Sequence, residues 1–278
     1  MRRSLPPPAT RRTRSSAFVA LLTVLLAATV VTACGAPPPP PPLPRYASVT
    51  DLGTAIGDQL KKDKTAKINL VQSTTGGDPA PNANVEQVLD YAPAGLSVQL
   101  DTRLQPPGAP APLESTTVVL PDQAYVKPPQ GFGLPVGKSW IHIPENSPVP
   151  WMQQIVAQVQ MVRQSADPSQ SFSEFGQAAT ITETAEDPVN GARAIRYKVR
   201  VDMAKAAQTQ PDPQIQQKLR SAPSVDTTVW LDGQNRLLRM LVQQPTGDGG
   251  MLSLDAHYRD WGVPVDIRPP PPDQVVDG

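Results

Sequence analysis

The sequence predicts an α+β fold, a single curved antiparallel sheet of about ten strands with helices packed on its concave side. Segments in which apolar and polar residues alternate recur through most of the chain. They are joined by short turns rich in Gly and Pro, which suit antiparallel neighbours rather than the long crossovers of a parallel sheet. A few stretches at helical spacing interrupt them, and their apolar faces need a sheet to cover.

In chain order, Leu52, Ile56 and Leu60 are spaced four apart after Thr50, so Val49 to Leu60 reads as a short amphipathic helix with Thr50 as N-cap, although its interior glycines weaken it. The period then changes to two. Ala66, Ile68 and Leu70 share one side, and Leu96, Val98 and Leu100 alternate with Ser97, Gln99 and Asp101. Val85 to Tyr91, Ser115 to Leu120, Ala124 to Lys127 and Ser139 to Ile143 continue as strands, with turns at Gly76-Gly77 and a loop from Gly131 to Gly137. Trp151, Ile155, Val159 and Val162, with Met152 and Val156 beside them, return to helical spacing just after Pro148 and Pro150. Ala179 to Glu183 and Ile195 to Val201 form a hairpin around Asn190-Gly191, and its second arm alternates without exception. A helical piece broken by Pro211 and Pro213 covers Met203 to Leu219. Thr227 to Leu231, a turn at Asp232-Gly233, Leu237 to Gln243 and Met251 to Tyr258 complete the sheet. No internal repeat and no second linker occurs, so residues 46–268 are expected to form one domain, followed by a solvated Pro-rich tail over 269–278.

Ahead of this domain, residues 1–33 have the order of an export signal. Arg2, Arg3, Arg11, Arg12 and Arg14 precede an apolar run from Ala17 to Val31, and no acid is present. Val31-Thr32-Ala33-Cys34 reads as a lipobox, with Cys34 as the lipidation site. The apolar run is shorter than the roughly 20 residues a membrane-spanning helix needs. Cleavage before Cys34 would leave 245 of the 278 residues, with 20 basic against 25 acidic side chains. A mildly acidic domain with no basic patch is a poor match for nucleic acid. Diacylglycerol on the thiol and an acyl chain such as palmitate on the amine would provide a two-chain anchor on the extracytoplasmic face of the cell membrane. Residues 34–45, with seven prolines between Pro37 and Pro44, then read as a polyproline II tether.

The inventory of chemistry is thin. Cys34 is the single cysteine, which excludes disulfides and thiolate metal sites, and no metal or cofactor motif occurs. His142 and His257 each fall within a strand and read as surface or edge residues, without a G-x-S-x-G elbow or cysteine nucleophile nearby in sequence. Gly131 to Gly137 does not have phosphate-loop spacing. An enzyme is not expected; a hydrolase without a motif would need demonstrated turnover. The helix at Trp151 to Val162 facing a one-sided sheet could make a filled core, the simpler reading from periodicity, or leave an apolar cavity.

Gly137-Lys138-Ser139-Trp140-Ile141, Val189-Asn190-Gly191 with Ile195 to Val201, Trp230-Leu231-Asp232-Gly233 with Arg236-Leu237, and Tyr258-Arg259-Asp260-Trp261-Gly262 with Pro264-Val265-Asp266 occur in an order that resembles the LppX and LprG family of mycobacterial and related actinobacterial lipoproteins. That family is similar in fold to the LolA lipoprotein carrier. The resemblance implies a half-barrel whose concave face holds acyl chains, with no catalytic residues. It implies membrane lipids or lipoglycans as ligands, carried or handled in the envelope, with an envelope transporter as a further partner. Its apolar lining maps onto Val98, Leu100, Val118 and Leu120 from strands, and Trp151, Ile155 and Val159 from the helix. Pro106-Pro107, Pro110 to Pro112 and the Gly131 to Gly137 loop depart from the family pattern and bear on the cavity entrance. The alternative is a structural or signalling envelope lipoprotein with a filled core that binds a protein partner.

Overall fold

The computed structural model describes residues 41–77, 80–92, 95–145, 150–165, 167, 169, 172 and 175–278, with the side chains of 150, 151, 164 and 165 also left out. Residues Pro42–Gly278 form one compact unit. The expected signal peptide, Cys34 and most of the tether lie outside the described residues.

Twelve strands make one open sheet: β1 Thr65–Thr75, β2 Asn82–Ala92, β3 Gly95–Gln105, β4 Leu113–Val119, β5 Ala124–Lys127, β6 Trp140–Ile143, β7 Ala179–Glu186, β8 Ile195–Val201, β9 Val225–Leu231, β10 Leu237–Pro245, β11 Met251–Arg259 and β12 Val275–Asp277. Their order is β12-β6-β5-β4-β3-β2-β1-β11-β10-β9-β8-β7. Every pairing is antiparallel except β12 on β6. Because directly paired residues share a face, the register assigns each side chain. Ala66, Leu89, Val98 and Val119 form one inward row, and Tyr197, Val229 and Met240 another. The opposite face is polar and charge-paired, with Arg103 on Glu114, Arg239 on Asp255 and Arg200 on Asp226. One face packs on the core and the other meets water, as the alternation required.

Two helices bury their stripes against the inner face. Helix α1, Val49–Asp63, buries Val49, Leu52, Ile56 and Leu60. Its N-cap is Ser48, whose Oγ accepts from the Asp51 amide at 3.0 Å, rather than Thr50, whose carbonyl instead accepts from the Thr54 hydroxyl. Helix α2, Pro150–Ser165, buries Met152 and Val159, with Ile155, Val156 and Val162 packed at the edge of the same cluster. The broken helical piece resolves into α3 Met203–Ala206, a 3₁₀ turn over Ala207–Thr209 and α4 Pro213–Ser221, capped by Asp202 and Asp212.

The glycines of α1 have a packing reason. A Cβ at Gly53 would collide with the Cβ of Phe172, and one at Gly57 would stand 2.7 Å from Ser169 Oγ. Helix propensity alone would make Gly53→Ala stabilising by about 1 kcal/mol. Overpacking against a backbone-anchored atom is expected to reverse that sign, with a net loss of about 1–2 kcal/mol read from urea unfolding midpoints.

The end of α1 is locked to the β9–β10 turn. Arg236 donates from Nε and Nη2 to the two carboxylate oxygens of Asp63 at 2.8 and 2.9 Å, and Gln59 Nε2 donates to the same carboxylate. The Arg236 hydrogen bonds hold the Asp63 carboxyl below its ordinary range, against the opposing effect of burial. Its folded pKa is depressed, so the stability it contributes is present above the unfolded value, about 4, and is lost as pH falls through the folded value. Asp63→Asn is expected to cost about 1–3 kcal/mol at pH 7 and to flatten the decline of the urea midpoint below about pH 4.

Two expectations at the domain ends are corrected. The tail over 269–278 is not solvated throughout: Val275, Val276 and Asp277 pair with Trp140, Ile141 and His142, and the Gly278 amide donates to the His142 carbonyl at 3.1 Å. The expected tether is also not free up to residue 45. Leu43 packs against the core, the Tyr197 hydroxyl donates to the Pro44 carbonyl at 3.1 Å, and the Tyr46 hydroxyl donates to Asn235 Oδ1 at 2.7 Å.

Candidate functional site

Side-chain size falls along the inner face of β8 and β9. At one end stand Ile195, Tyr197, Leu231 and Leu237, each 2% exposed or less, which fill the space under α1. Toward the other end the same face carries Val199 and Val201, then Thr227 and Val225. Smaller side chains leave a void that close packing does not close. It measures about 270 Å³ and is bounded by Ala179, Val199, Val201, Val225, Thr227, Met240 and Val242 from the sheet, with Val49, Phe172, Phe175 and Met203 across from it. Among the described lining residues, Thr227 supplies the one hydroxyl and no side chain titrates.

Each wall has a local cause. Paired residues Val201 with Val225, Val199 with Thr227, and Thr227 with Val242 put the small side chains on adjacent strands in register. Met203 enters because Asp202 ends β8 and caps α3, with its carboxylate accepting from the Lys205 amide at 3.1 Å. Phe172 is carried in by close approach to Gly53. A recess whose described lining is apolar apart from one hydroxyl can hold an apolar chain. At about 270 Å³ it lies just below the roughly 300–1,000 Å³ of ordinary small-molecule pockets, which suits one apolar tail better than a two-chain molecule.

The residues expected to line a cavity stand elsewhere. Val98 is fully buried, Leu100 is half-buried on the same face, and Val159 is 5% exposed with Ile155 beside it; these belong to the packed core under α2. Val118 is on the other side of the sheet, because it pairs with Gln99 and Tyr125 whereas Val98 pairs with Val119. Leu120 lies at the β4–β5 turn, where its amide donates to the Gln123 carbonyl and its carbonyl accepts from Arg163. The Trp151 side chain lies outside the described residues. Thus Val98, Leu100, Ile155 and Val159 share one packed cluster, and the void is on β7 to β10. The missed signal is the run of sizes Ile195, Tyr197, Val199, Val201 and its mirror Leu231, Val229, Thr227, Val225, which tapers toward one end.

Both histidines face outward. His142 Nδ1 is 3.4 Å from Asp277, and His257 Nε2 is 3.3 Å from Asp255, itself held by Arg239. Burial pushes the Tyr91 and Tyr258 hydroxyls upward, so they remain protonated. Among the described residues, no group of three or more His, Cys, Asp or Glu is placed to hold a metal ion, and no helix is long and apolar enough to cross a membrane.

The chain is similar in fold to mycobacterial lipoproteins. The crystal structure of LprF from Mycobacterium bovis matches at 14% identity over 80% of this chain and 96% of that chain, with a TM-score of 0.47. Lipoprotein LppX of Mycobacterium tuberculosis matches at 14% identity over 79% and 98%, with a TM-score of 0.44. A LolA-superfamily protein of Nitrosomonas europaea matches at 9% identity over 77% and 93%, with a TM-score of 0.25. No protein-family model and no curated protein sequence matches the chain. The architecture, a large open antiparallel sheet with few helices, and the functional reading both rest on the chain's own residues.

Proposed function

We propose that this chain is an acylated lipoprotein on the extracytoplasmic face of the cell membrane, held by Cys34, which shelters one acyl tail of a lipid or lipoglycan in the recess on β7 to β10 without chemical conversion. The observation that supports it most is the recess itself, whose described lining is apolar except for Thr227 and holds no titratable side chain. The gain on filling it comes from removal of methylenes from water, at about 0.8 kcal/mol each. The lipobox at Val31 to Cys34 and the prolines after it supply a means of staying near the source of such tails.

The test is purification of the acylated protein followed by lipid extraction, and titration of residues 42–278 with a fluorescent fatty acid. One tail bound per chain, displaced by unlabelled fatty acid, is expected. A protein that carries no lipid beyond its anchor and leaves the probe in water overturns the proposal. If such a protein instead retains a defined envelope protein partner, the structural alternative replaces it.

A further inference from the structure

The sheet has two chemically different ends. The strand register puts Ala179, Val201, Val225, Met251, Thr75, Gln105, Leu113 and Lys127 at one end. The recess occupies this end of β7 to β10. The chain enters at the other end, where Leu43 touches Gly233 and Tyr46 bonds Asn235 in the β9–β10 turn. The β3–β4 and β5–β6 loops lie at the recess end, and they are neighbours because β4 pairs with β5.

Residues 106–113, the β3–β4 loop with the first residue of β4, and residues 128–137 of the β5–β6 loop make eighteen residues without a charge, and Gln130 is their one side chain able to form hydrogen bonds; Lys138 and Ser139 complete the second loop. Leu113 is 45%, Phe132 53% and Val136 fully exposed. Single exposed apolar residues are ordinary on a protein surface, but three on adjacent uncharged stretches are not. Along the second stretch Gly131, Gly133 and Gly137 adopt φ of 87°, 84° and 83°, with nothing within 4 Å of a Cβ position at any of them. Leu134, between them, turns inward and packs on the core, which fixes the base of the loop. Lys127 and Lys138 bracket it.

We propose that these loops are a membrane-docking surface, with Val136 and Phe132 entering the interfacial layer of a lipid bilayer and the two lysines meeting anionic headgroups. A protein partner would have to satisfy its own polar groups against a surface that offers almost no side-chain hydrogen bonds, whereas the edge of the acyl region asks for none. Apolar tips between basic residues are the pattern whose binding adds buried apolar area to attraction for anionic lipid. Docking in this orientation would turn the recess end of the sheet toward the bilayer. That last link rests on the proposed function; docking itself does not.

Residues 42–278 contain no cysteine, so Val136→Cys provides a unique site for an environment-sensitive nitrobenzoxadiazole label. Vesicles of phosphatidylcholine containing phosphatidylglycerol are expected to raise its emission several-fold with a blue shift, and nitroxide-bearing lipid to quench it. Pure phosphatidylcholine should do so more weakly. A label at Val263→Cys, exposed at the opposite end, should not respond. Phe132→Asp with Val136→Asp should abolish flotation with vesicles while leaving the fatty-acid titration unchanged. No response at position 136, or an equal response at 263, overturns the docking surface. Failure of the fatty-acid titration alone would instead count against the recess.

Discussion

Val242→Trp is expected to lower the affinity for an acyl-chain probe at least a hundredfold while the urea unfolding midpoint stays at or above that of the parent. Val242 is half-buried on β10, with its inward side chain beside Thr227 on β9 and facing empty space. Indole suits a strand and can occupy that space without displacing a neighbour. Each methylene it keeps out forfeits about 0.8 kcal/mol, so exclusion of four is worth about 3 kcal/mol, or more than two powers of ten in the dissociation constant. Titration with fluorescent fatty acid and urea unfolding, done on the same preparations, separate the two effects. A variant that binds as well as the parent would place the ligand elsewhere, and one that unfolds would show position 242 to be packed core.

The opposite dissociation is expected at Val98. Val98→Arg should abolish the folded state, because the guanidinium would be introduced at a fully buried position between Leu89 and Val119, where no buried polar or charged residue is described to receive it. An uncompensated buried charge costs several kcal/mol, a large share of the roughly 5–15 kcal/mol by which domains are stable. Val98→Ala should cost about 2 kcal/mol and leave acyl binding within a factor of a few. Circular dichroism with urea titration measures the first effect and the fluorescent titration the second. If Val98→Arg remained folded and lost only ligand binding, the cavity would reach under α2 and the packed-core assignment would be wrong.

The sheet could be read from the sequence wherever one face is polar without interruption. Ile195 to Val201 is such a case: its outward Arg196, Lys198 and Arg200 meet Glu183, Asp187 and Asp226 on adjoining strands, and the inward set follows by parity. Parity failed at Thr116 to Leu120, because Val118 and Val119 are both buried, each on its own side of the sheet. Two adjacent apolar residues do not state their phase, and only the partner strands settle it. Val118 is matched with Tyr125, which faces His142. Strand β12 gave no signal either, since Val275 and Val276 are too short a run to announce a strand, and a parallel pairing with β6 depends on chain return from far away. The recess went unread for a related reason. Alternation says which side faces in, whereas the place where inward side chains fail to fill the volume depends on their sizes across four strands at once, as at Ala179, Val199, Thr227 and Val242.

The parallel strand β12 also bears on how many copies of this chain can share a small area. A sheet of twelve strands has two borders, and an unprotected border invites another chain to continue the ladder. At β6 that invitation is answered by three residues, Val275 to Asp277, preceded by Pro269 to Pro272, which have no amide hydrogen to offer a newcomer. At β7 the ladder is interrupted by a register shift between Ile181 and Glu183 and carries the acidic Glu183 and Glu186. Molecules gathered on one surface would collide edge to edge far more often than in solution, and these two borders give such collisions nothing to zip together.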